Sequence, residues 1–139
     1  MRSSYLRTLT KYDFKRIIRY GIIYKFELTK ISEIKKIIKY FCRDMQENVH
    51  QLDLRFSQKY PSIESVAKKT VKDFSNIIFR VIKIPSNEEL LFTVDYQEIY
   101  QPPLDKPVQK PISDFFHRSE IKIQKSIFPW IESILSSKV

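Results

Sequence analysis

Along much of the chain, apolar residues recur at steps of three and four, the spacing of a helix with one buried face. The clearest run starts at Ser32, a residue suited to an N-cap. Ile34, Ile37, Ile38, Phe41, Met45, Val49 and Leu52 form one stripe, with Lys35, Lys36, Lys39 and Arg43 outside it. The pattern predicts a helix running to about Tyr60, where Pro61 favours a break. A second stripe, Ile63, Val66, Phe74, Ile77, Ile78 and Val81, predicts another long helix that Pro85 ends. Ser86-Asn-Glu-Glu89 then has capping-box spacing and predicts a third, through Leu90, Leu91, Val94 and Ile99 to Tyr100. Near the start, Phe14, Ile17, Ile18 and Tyr20 cluster close to helical spacing. Long helices joined at a proline normally pack antiparallel, so the expected architecture is a helical bundle.

The pattern changes after Tyr100. Gln101-Pro-Pro-Leu-Asp-Lys-Pro-Val-Gln-Lys-Pro111 has the composition of an extended linker. Beyond it, Glu120-Ile-Lys-Ile-Gln124 alternates like a short strand. Ser126 to Leu135 reads as a short helix, with Pro129 tolerated in its first turn. The expected fold class is therefore mainly α. A helical bundle over residues 1–101 is followed by a Pro-rich linker, 102–111, and a small C-terminal α+β segment, 112–139.

Composition reinforces the helical reading. The 139 residues contain a single glycine, Gly21. Glycine supplies positive φ at tight turns, so a many-turned β fold is disfavoured. Glycine-rich phosphate loops and dinucleotide fingerprints are excluded outright. With 42% hydrophobic residues, including ten Phe and eight Tyr, the chain has material for a core.

Chemistry is sparse. The one cysteine, Cys42, forms no internal disulfide and reads as a small packing residue in a reducing cytosol. With His50 and His117 far apart, no four-ligand zinc set is available. Neither His lies beside a nucleophile and an orienting group, and Glu88-Glu89 suit a helix start. The expectation is a non-catalytic protein without cofactor or metal. No apolar run reaches the ~18 residues of a membrane span, and the charged first nineteen residues lack the apolar core of a secretory signal. A cytoplasmic, nucleoid-associated location is expected.

The net charge of +9 resides wholly in residues 1–43. Lys15, Arg16 and Arg19 sit among Tyr12, Phe14 and Tyr20, an interleaving that suits stacking on, and neutralising, single-stranded nucleic acid. Lys35, Lys36 and Lys39 add a basic helix face. These six are the candidate contacts to nucleic acid or an acidic partner; a solvated lysine-rich surface produces the same letters.

One linear motif stands out. Gln109-Lys-Pro-Ile112-Ser-Asp-Phe115-Phe116 matches a glutamine, an aliphatic three residues on and an aromatic pair after that. It resembles the PCNA-interacting peptide, or PIP box, that docks proteins on the sliding clamp. One helical turn gathers Ile112, Phe115 and Phe116 into an apolar plug, with Gln109 at its rim. The alternative is that these residues tie the C-terminal piece to the core.

Two longer stretches carry a family resemblance. Ser65 to Ile84, with Arg80, Lys83 and Ile84 at its end and Asn87-Glu-Glu-Leu-Leu after it, resembles the long helix of a GINS helical A domain and its successor. Glu120 to Val139 resembles the close of a small B domain. The order of parts over residues 27–139 is similar to an archaeal GINS subunit. That resemblance implies a scaffold assembled with sister subunits in a hetero-oligomer, linking the MCM helicase to a RecJ-like protein in DNA replication. Two other functions fit the residues: a basic nucleic-acid-binding protein, and a small accessory factor of the sliding clamp (PCNA).

Overall fold

A computed structural model of the chain describes residues 16–43, 49–62, 66–70, 72–85, 88–105 and 109–137. Its elements run β1 (Ile17–Leu28), α1 (Ile31–Cys42), β2 (Leu52–Pro61), β3 (Phe74–Lys83), β4 (Leu90–Leu104) and α2 (Gln109–Lys122). A π-helical turn, Ile123–Ile127, leads into α3 (Phe128–Leu135). The strands form one antiparallel sheet in the order β1-β4-β3-β2.

This overturns the expected helical bundle. Strand accounts for 45% and helix for 37% of the described residues. The start of the long stripe is helix, α1, which buries Ile34, Ile37 and Ile38, whereas Leu52 opens β2 and Met45 lies outside the described residues. Leu52–Pro61, Phe74–Lys83 and Leu90–Leu104, all expected to be helical to Tyr100, are strands. The expected strand at Glu120–Gln124 is instead helical, while the helix ending at Leu135 with Pro129 in its first turn is present as α3. Pro102 and Pro103 belong to the end of β4, not to a linker.

The physical reason lies in residue type as much as in period. β3 carries Ile77, Ile78, Val81 and Ile82, whose branched side chains fit a pleated surface better than a helix. On β4, Leu90, Phe92, Val94, Tyr96 and Glu98 alternate as buried positions, a strict period of two. Between them Thr93, Asp95 and Gln97 are polar, so from Phe92 to Gln97 the sequence itself alternates; apolar Leu91 and Ile99 at the two ends let the same stretch fit a helical stripe as well. The glycine argument fails because these connections do without it. Among the described residues the only positive φ belongs to Arg43, at 46°.

The chain divides into two compact units, each drawn from separated stretches, with every strand contributing to both. The first takes Met1–Ile22, Gln58–Ile77 and Tyr96–Glu120; the second takes Ile23–Ser57, Ile78–Asp95 and Ile121–Val139. The first unit buries Ile17, Tyr20, Ile77, Tyr96, Ile112 and Phe115. In the second, α1 packs on α3, and Trp130 is ringed by Tyr40, Phe41, Phe56, Phe79 and Phe92 at 5.5–6.3 Å. These edge-to-face contacts add to the area each ring buries.

Candidate binding groove

An open groove of about 930 Å³ lies in the first unit, lined by Ile18, Arg19, Thr70, Lys72, Ile99, Tyr100, Gln101, Pro102 and Pro103. Ile18 and Arg19 are consecutive on β1, yet both are exposed and both face the groove. A regular strand would send them to opposite faces. Buried Ile17 and Tyr20 flank them at a spacing of three, so the alternation is locally broken at this point.

The opposite wall is held by backbone chemistry. Lys72 N–H donates to the Gln101 carbonyl at 2.8 Å, and Gln101 N–H donates to Asp73 Oδ1 at 2.7 Å. Lys72 is thereby anchored at the end of β4 with its side chain exposed. The lining contains two cations and no carboxylate among the described residues. The same lining includes the apolar side chains of Ile18, Ile99, Pro102 and Pro103. Such an arrangement suits a flat or apolar body carrying negative charge.

Tyr100 closes the inner side and is itself fixed. Its ring meets Tyr20 edge-on at 5.7 Å, and its hydroxyl donates to Glu98 Oε2 at 2.7 Å. Glu98, 8% exposed, also accepts from Tyr96 at 3.0 Å and from Arg118 through both oxygens, at 2.8 and 2.7 Å. These groups border a second cavity of about 420 Å³, which Ser62, Asp73, Phe74 and Ser75 help to line. Burial pushes the Glu98 carboxyl up, but the hydrogen bonds from Arg118 and Tyr100 outweigh it and leave it below its usual range. Burial and the Glu98 charge push the Tyr96 hydroxyl up, and burial and its bond to Glu98 do the same for Tyr100. All three therefore hold their charge states through the neutral range, as a structural cluster does.

The residues singled out from sequence scatter. Arg19 lies in the groove, and Arg16, on the same unit, sits 3.8 Å from Asp105 with both side chains exposed. Lys15 lies outside the described residues. In the second unit, Lys35 and Lys39 are exposed one turn apart on α1, whereas Lys36 turns to the Leu135 carbonyl at the end of α3. That carbonyl has no partner within its helix, so the lysine acts as a cap. Of the clamp-like motif, Ile112 and Phe115 are each 2% exposed, and Phe115 packs on Tyr20 and Tyr96 at 5.4 and 5.8 Å. Phe116 is half-buried beside Phe115, and the side chain of Gln109 lies outside the described residues. In this fold the apolar plug serves the first unit's own core.

Sequence reasoning missed Thr70, Lys72 and Gln101. No local signal marks them, because they come beside Arg19 only when β4 pairs with β1 and Lys72 bonds to Gln101 at the end of β4. Among the described residues there is no group of three or more His, Cys, Asp and Glu placed to hold a metal. Cys42 is half-buried and unpaired by disulfide. No described helix is long and apolar enough to cross a membrane. No protein-family model and no curated protein matches the chain.

Proposed function

We propose that this is a non-catalytic binding protein for single-stranded nucleic acid, which it takes up in the groove of the first unit. The observation that supports this reading is that Arg19, on β1, and Lys72, bonded to Gln101 at the end of β4, line one groove together with apolar Ile18, Ile99, Pro102 and Pro103. Two cations meet successive phosphates while these apolar side chains and the Tyr100 ring receive bases. The net charge of +9 adds a long-range attraction for any polyanion. Single strands fit better than duplex, since a stacked base pair offers its edges rather than its faces. On this reading the protein works in the cytoplasm beside nucleic acid, without cofactor. The replication-scaffold reading is not carried forward, because the residues behind its long A-domain helix form β3 and the start of β4.

Fluorescence anisotropy with a labelled single-stranded oligonucleotide tests the proposal. Binding is expected at low salt, weakening steeply as salt rises. No binding at low salt would overturn it, as would full affinity in a folded Arg19→Ala/Lys72→Ala variant.

A further inference from the structure

β2 is an outer strand of the sheet, and its core-side face is incompletely covered. Phe56 and Tyr60 on that face remain 36% and 39% exposed. The corresponding face of β1, the other outer strand, is better covered, with Tyr20 buried and Tyr24, Phe26 and Leu28 half-buried. A ten-residue outer strand with partly exposed aromatics and no described strand on its outer side is a template for further pairing.

The direction of its free backbone groups follows from the register. Ser62 N–H donates to the Asp73 carbonyl at 2.9 Å, which sets Ser62 opposite Asp73 as a hydrogen-bonded pair. The same register sets Phe56 opposite Phe79, and their rings stack at 4.8 Å. Even-numbered residues of β2 therefore bond to β3. Asp53, Arg55, Ser57 and Lys59 direct their amides and carbonyls to the open edge.

We propose that β2 pairs antiparallel with β2 of a second copy of this chain, with Phe56 facing Phe56 across the two-fold axis. This register joins the open amides of Asp53 to those of Lys59, and of Arg55 to those of Ser57. It sets Asp53 opposite Lys59 of the other copy, twice by symmetry. Asp53 already meets Arg80 of its own chain at 2.8 Å and gains a second cation on its other side. On the core side, Phe56 meets Phe56 and Leu52 meets Tyr60, covering the partly exposed aromatics. Sliding by two residues sets Arg55 against Arg55 in one direction and against Lys59 in the other. Like charges directly opposite are unfavourable, so the charge pattern selects the register.

Sedimentation of the full chain over a wide concentration range tests this, and a concentration-dependent dimer is expected. Ser57→Pro removes an edge-directed amide while leaving the β3 side untouched; it should give a monomer with an unchanged circular dichroism spectrum. In a Cys42→Ser background, Phe56→Cys should form a covalent dimer on mild oxidation, and Leu54→Cys should not. Lys59→Glu should weaken the dimer about tenfold at low salt. A monomer at all concentrations would overturn the proposal. So would a dimer that persists in Ser57→Pro, or one that cross-links through Leu54→Cys instead.

Discussion

Arg118 grips Glu98 through two parallel bonds, Nε to Oε1 at 2.8 Å and Nη2 to Oε2 at 2.7 Å, across the gap between α2 and β4. The carboxylate is nearly buried and the guanidinium half-exposed. The pair ties a helix to a strand, and Tyr96 and Tyr100 occupy the remaining lone pairs of the same carboxylate. A charge in such a place is stabilising only while every donor stays. Arg118→Ala should therefore lower stability by about 2 kcal/mol, within the range for hydrogen bonds to charged groups. Urea denaturation should show a lower midpoint with an unchanged slope.

Acid should act through the same carboxylate. Its value in the folded protein is depressed below the ordinary 4.5, so folding binds fewer protons than the unfolded chain. The stabilisation is complete above 4.5 and is lost as pH falls through the depressed value. Glu98→Gln removes that titration. The melting temperature of the parent should fall more steeply below pH 4.5 than that of the variant.

The two phenylalanines of the clamp-like motif should behave unlike each other. Phe115 is among the largest fully buried side chains, so Phe115→Ala should cost about 3–5 kcal/mol. Phe116, half-buried, should cost distinctly less. A clamp-docking peptide would make both nearly neutral for folding, and chemical denaturation of the two variants separates the cases.

The groove makes its own prediction about salt. Each cation that meets a phosphate adds about one to the slope of log affinity against log salt. Arg19→Ala/Lys72→Ala should flatten that slope by up to about two. Lys35→Ala/Lys39→Ala on α1 should leave it unchanged, as measured by anisotropy titrations at several salt concentrations.

Much of this molecule was legible before its structure. The α1 stripe of Ile34, Ile37 and Ile38 and the helix around Trp130 follow from local spacing, and the uneven charge from composition alone. Helical periodicity needs only neighbours three and four residues away, and charge needs no geometry at all. The strands were misread as helices. Ile77, Phe79 and Val81 are buried because β4 and β2 lie on either side of β3, and that pairing joins residues far apart in the chain. On β3, Ile78 and Ile82 fill intervening positions with apolar letters and blur the alternation, whereas Leu52–Ser57 and Phe92–Gln97 do alternate and were outweighed by the three-and-four spacing of the wider stripes. For the same reason the burial of Phe115, the clasp of Arg118 on Glu98 and the placing of Lys72 and Arg19 on one groove were decided only by the tertiary fold. A short segment encodes its own period, whereas a sheet exists only once distant segments meet.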